Sequence, residues 1–93
     1  MSISIMKLND DVFEVTVADS ITTVHEVTVS DQNLTDLTDN SVTKKQLLEF
    51  SFKFLLDKEP NTSILKSFDI SVIEQYLPKY LDDLKRWPPL IPI

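Results

Sequence analysis

A single imidazole, His25, is the side chain of this 93-residue chain best suited to general acid or base work near neutral pH. Ser20, Ser30, Asp19 and Asp31 flank it in sequence, and a small hydrolase or ligand-binding protein using His25 would need such groups to meet it in space. Nothing in their spacing predicts that meeting. His25 shares one face of a strand with Val27 and Val29, which predicts a structural histidine at the rim of the core. The acid pairs Asp10-Asp11 and Asp82-Asp83 carry oxygens suited to a hard cation, yet neither has the spaced ligands of a calcium loop. They read as turn and solvent residues. The chain has no cysteine, which removes disulfides, thiolate nucleophiles and thiolate metal sites together. It has no glycine either, which excludes a glycine-rich phosphate cradle. The expectation is a chain with no catalytic residue, no metal and no cofactor.

Charge constrains the partners. Residues 1–43 hold eight acids against Lys7, a net −7, and residues 44–93 hold seven acids against eight bases, a net +1. Binding to nucleic-acid phosphates is disfavoured, since each such contact needs Lys or Arg. A protein with a basic surface is the compatible partner. No apolar run approaches the roughly 20 residues of a membrane span. The start, MSISIM, lacks the basic region of a signal peptide, so a cytoplasmic location is expected.

The elements that position these residues fall into a strand half and a helix half. Ser2–Ser30 predicts three strands at about 2–8, 12–18 and 22–30. They are separated by Asn9-Asp10-Asp11 and Asp19-Ser20, which turn a chain without glycine. Phe13, Val15 and Val17 alternate with Glu14, Thr16 and Ala18, and His25, Val27 and Val29 with Glu26, Thr28 and Ser30, giving one apolar and one polar face. A short helical turn capped by Ser30 or Asp31 would bring Leu34 and Leu37 inward. Thr43–Lys58 is the central helix, with Thr43 and Gln46 spaced as a capping box. Its apolar residues cover an arc of roughly 240° at about 100° per residue, more than a surface helix needs. It must therefore be covered on two sides, with Ser51 small enough to let the sheet approach. Glu59-Pro60 ends it. Residues 62–86 predict short helices, with Ile64, Leu65 and Phe68 at helical spacing and Asp69 or Ser71 capping Ile70 to Leu77. Pro78 ends that helix or starts the next. Residues 87–93, WPPLIPI, form an extended, proline-rich tail.

Residues 50–80 contain Phe54-Leu55-Leu56, Glu59-Pro60, Ser63-Ile64-Leu65, Phe68 to Ile73, and Tyr76-Leu77-Pro78 followed by Tyr80. In this spacing the stretch resembles a family of short uncharacterised bacterial proteins. The resemblance implies a helix-turn-helix-turn C-terminal half and a bacterial source, and it brings no activity with it. The WPPLIPI ending departs from the family pattern.

Together these readings predict a single α+β domain over residues 1–93, a three-stranded antiparallel meander packed on a central helix, with short C-terminal helices. The function they favour is that of a non-enzymatic protein–protein interaction module, binding another protein or a second copy of itself. The candidate contact residues are Trp87, Leu90, Ile91 and Ile93 in the tail and Glu14 and Glu26 on the polar sheet face. An acidic inhibitor of a nucleic-acid-binding protein is a further alternative.

Overall fold

The computed structural model describes residues 2–38, 40 and 42–86. The order is β1 (Ser2–Lys7), β2 (Val12–Ala18), β3 (Thr23–Thr28), α1 (Asp31–Thr38), α2 (Lys44–Lys58), a 3-10 turn (Asn61–Ser63), β4 (Ser67–Asp69), α3 (Val72–Tyr76) and α4 (Lys79–Arg86). The fold is α+β. The first three strands form the expected antiparallel meander, with Phe13 opposite Val27 and Val15 opposite both Ile5 and His25. Between β1 and β2 Asn9 does the work of a glycine, its side-chain oxygen accepting from the backbone of Asp11 and Val12, both at 2.9 Å.

The sheet has a fourth strand that periodicity did not predict. Ser67–Asp69 pairs in parallel with β3, placing Phe68 beside Val27, and the sheet is mixed, in the order β1-β2-β3-β4. Residues 64–70 are therefore not helical. Ile64, Leu65 and Phe68 have helical spacing, but the open edge of β3 supplies backbone partners that a helix there would leave unused. Glu26 N–H donates to the Lys66 carbonyl at 2.7 Å and Ile70 N–H to the Thr28 carbonyl at 2.9 Å. Asp69 consequently caps no helix at Ile70, and its carboxylate instead accepts from the Ser71 backbone and hydroxyl at 2.9 and 2.8 Å. Ser71 stands at the start of α3 without a side-chain capping bond, so it does not cap the helix through its hydroxyl either. Pro78 lies between α3 and α4.

α2 begins as its residues require. The Thr43 hydroxyl accepts from Gln46 N–H at 3.1 Å, and the Gln46 side-chain oxygen accepts from Thr43 N–H at 2.9 Å. Ser30 and Asn33 cap α1 reciprocally in the same manner, and Leu34 and Leu37 reach the core half-buried. One flank of α2 lies on the sheet, where the Phe52 ring sits 5.4 Å from that of His25 and 6.2 Å from that of Phe68. The other flank meets α4, where Tyr80 packs against Phe50 and, edge-on, against Phe54 at 5.4 Å. Ser51 is on this second flank. Its smallness serves the helix–helix contact rather than the approach of the sheet, a correction to the expectation from the helical wheel. The Ser51 hydroxyl donates to the Leu47 carbonyl at 2.7 Å, so the buried Tyr80 phenol donates to Ser51, also at 2.7 Å.

Burial pushes the Tyr80 phenol up to about 12, and the nearby Glu74 charge acts in the same direction. Folded protein thus keeps a proton that unfolded chain releases from about pH 10. The stabilisation is whole below pH 10 and is lost as pH rises toward 12. Denaturation curves should show the advantage of wild type over Tyr80→Phe shrinking by about 2 kcal/mol across that interval. At pH 7, Ser51→Ala should cost about 1–3 kcal/mol by leaving a buried phenol without its acceptor. The Ser51→Ala, Tyr80→Phe double variant should cost less than the two singles combined.

Candidate functional site

His25 is 1% exposed and both ring nitrogens are engaged. Asn61, itself buried, donates its side-chain amide to the Ile21 carbonyl at 2.7 Å and to the Thr23 hydroxyl at 2.9 Å. The Thr23 hydroxyl lies 2.8 Å from His25 Nε2, and His25 Nδ1 lies 2.7 Å from the Leu65 carbonyl. A carbonyl only accepts, so Nδ1 carries the proton and Nε2 accepts that of Thr23. The chain Asn61, Thr23, His25, Leu65 therefore satisfies each member with one proton per link. His25 fixes the backbone that enters β4. The serines and aspartates near it in sequence are not among its hydrogen-bond partners.

The acid pairs have separate fates. Lys44, on the first turn of α2, donates to the Asp10 carbonyl at 2.7 Å, to Asp11 at 3.1 Å and to Asp31 at 2.9 Å. All three ammonium protons are used. Burial opposes charge on Lys44, but the bonds to Asp31 and Asp11 outweigh it and raise its pKa, while Lys44 in turn holds the Asp31 carboxyl below the usual range. The cleft around this ammonium, walled by Lys7, Phe13 and Thr43, is a clip joining the β1–β2 loop to the starts of α1 and α2. Asp82 and Asp83 lie on α4, exposed and half-buried. Among the described residues no group of three or more His, Asp or Glu is placed to hold a metal ion. No described helix is long and apolar enough to cross a membrane.

Glu14 and Glu26 are directly opposed across β2 and β3 on the outer face. Neither has an ion-pair partner among the described residues, and like charges so opposed weaken a strand pair. Trp87, Leu90, Ile91 and Ile93 lie outside the described residues.

The feature not anticipated is an apolar groove of about 380 Å³ where α2 ends. Leu55 and Ile73 form its buried floor, with Phe68 of β4 beside them. Ile64 and Leu65 make one wall and Tyr76 with Leu77 the other, and Glu59 is the charged group at its edge. The opening follows from the local sequence. Pro60 turns the chain away from α2, β4 is only three residues long, and α3, at five residues, is too short to close over the gap. Leu65 is left 56% exposed and Tyr76 75% exposed. His25 grips the Leu65 carbonyl from the core side, so the histidine positions one wall of the groove without touching its interior surface. All of the lining residues lie within residues 55–77.

No protein-family model, curated protein or solved structure matches this chain.

His25→Ala should lower stability by at least about 2 kcal/mol, since it vacates core volume and leaves the Leu65 carbonyl unpaired. Hydrogen exchange should show Glu26 N–H, the donor to Lys66, losing protection more than the β1–β2 amides. Equal loss throughout the sheet would mean that His25 does not hold β4.

Proposed function

We propose that this protein is a small non-enzymatic interaction module whose groove receives an extended, apolar, proline-containing segment of a partner protein. The observation that carries the proposal is the groove itself, in which Leu65 and Tyr76 stand exposed above a floor of Leu55 and Ile73. One helical turn with side chains, about 10 Å across and 5.4 Å tall, fills roughly 420 Å³. A groove of about 380 Å³ suits a few side chains of an extended strand better than a helix. Proline favours that form in the free peptide, which reduces the ordering cost on binding, and an exposed tyrosine offers the flat ring on which proline packs. Glu59 at the edge favours a basic residue flanking the apolar ones, in keeping with the net charge of −6. The engagement of both His25 nitrogens supports the non-enzymatic reading over a hydrolase. An acidic inhibitor would instead use the outer sheet face that carries Glu14 and Glu26.

Fluorescence anisotropy with labelled peptides of the pattern basic-apolar-Pro-Pro-apolar tests this. Tyr76→Ser and Leu65→Ser should each weaken binding about tenfold or more, equivalent to about 1.4 kcal/mol, with little change in melting temperature because both side chains are exposed. Glu14→Gln should leave peptide affinity nearly unchanged. If no such peptide binds, or binding ignores both groove substitutions while following Glu14→Gln, the groove is not the binding surface.

A further inference from the structure

We infer that the free edge of β1 pairs with the same edge of a second copy of this chain, joining two four-stranded sheets antiparallel into one. This surface is separate from the groove, and the inference does not depend on the groove's role. The sheet fixes which backbone groups the edge offers. Leu8 N–H donates to the Val12 carbonyl at 2.9 Å, and these two residues continue the β1–β2 register beyond Lys7 opposite Phe13. Bonded and non-bonded pairs alternate along antiparallel strands, so Ser2, Ser4 and Met6 turn their backbone groups to β2. Ile3, Ile5 and Lys7 turn theirs outward. The other side of β2 has the matching parity, since Val29 N–H donates to the Asp11 carbonyl at 2.6 Å in the β2–β3 register.

Among the described residues no strand lies beyond β1. The edge also lacks the devices that keep such edges apart. Its register with β2 runs without a bulge, and Ser2–Met6 contains neither charge nor proline. Lys7 stands at the end of the strand, paired with Asp10 at 3.4 Å. Ile3 and Ile5 pack against the core yet remain half-buried, while Val17 and Val15, opposite them on β2, are fully buried. The apolar layer is unfinished on this side. The far edge, β4, is only three residues long and ends in Asp69, a poor template for pairing.

A second copy fits because β1 is its own complement. With a two-fold axis at Ile5, that residue faces Ile5 of the second copy and Ile3 faces its Lys7, and each bonded pair exchanges two backbone bonds, about six in all. Moving the axis one residue either way loses one of these pairs within Ser2–Lys7, and an axis at Lys7 would oppose two ammonium groups. Charge permits the approach. The two Asp10-Asp11 turns lie at opposite ends of the antiparallel pair. Glu14 is on β2, at least three strand spacings or about 14 Å from Glu14 of the second copy, beyond the Debye length of about 8 Å at physiological salt.

Sedimentation of the intact protein should show a dimer that dissociates on dilution. Ile5→Lys, in a chain shown by circular dichroism to be folded, sets two ammonium groups against each other at the axis and should weaken self-association at least about tenfold. Tyr76→Ser, in the groove, should leave it unchanged. The chain has no cysteine, so cross-linking reads the register even where Ile5→Lys fails to fold. Ser4 of one copy and Met6 of the other form a non-bonded pair on the exposed face, where side chains approach closely. A mixture of Ser4→Cys and Met6→Cys chains, mildly oxidised, should yield several-fold more disulfide dimer than either variant alone. A protein that stays monomeric at every concentration overturns the inference. So does a mixture that cross-links no better than its components, or a dimer that survives Ile5→Lys and is lost with Tyr76→Ser.

Discussion

α2 is too apolar to lie on a surface, and that constraint organises the molecule. An apolar arc of roughly 240° leaves a narrow polar strip for solvent, so the helix must have a sheet on one flank and another helix on the other. The sheet flank is met by Phe52 against His25 and Phe68. The helix flank is met by Phe50 and Phe54 against Tyr80. These contacts do different jobs. The first is satisfied by bulk and tolerates irregular ring angles, whereas the second includes a buried phenol that must find an acceptor. Ser51 supplies that acceptor, and in doing so it specifies which face of α4 turns inward.

A second constraint comes from composition. A chain without glycine has to bend with residues that carry a Cβ, and asparagine takes much of that burden. Asn9 accepts two backbone bonds in the first hairpin. Asn40 adopts a φ of 61° between α1 and α2, a region that asparagine enters more readily than most residues. Asn61 donates across the end of the second hairpin and starts the chain of hydrogen bonds that passes through His25. Bends made this way are tied to specific acceptors, and each one therefore also fixes a tertiary relationship.

What was legible in the sequence was what repeats or caps locally. The alternation of Phe13, Val15 and Val17, and of His25, Val27 and Val29, located the meander and its buried face. Thr43 with Gln46 located the start of α2. The structural placement of His25 followed from its neighbours on the same strand face. β4 was not legible, because three residues carry no period and the apolar spacing of Ile64, Leu65 and Phe68 imitates a helix. Its existence depends on the free edge of β3, a partner about 40 residues away. The flank chosen by Ser51 was hidden for a similar reason, since the wheel shows that a residue is buried but not which element covers it. The groove is a product of what the short elements fail to cover, and no local pattern records that.

The parallel pairing of β3 with β4 gives the molecule an uneven firmness. β4 is brief, lies at the edge of the sheet, and closes a loop that contains both α1 and α2, so its pairing carries the entropy cost of a long loop. Once formed it is held by a few backbone bonds and by the grip of His25 on Leu65. Such an edge is the first part of a sheet to open while the rest stays shut. Phe68 and Leu65, which line the groove, ride on that edge. The groove is thus a property of the sheet's edge as much as of its core, and whatever holds β4 to β3 also holds the shape of the groove.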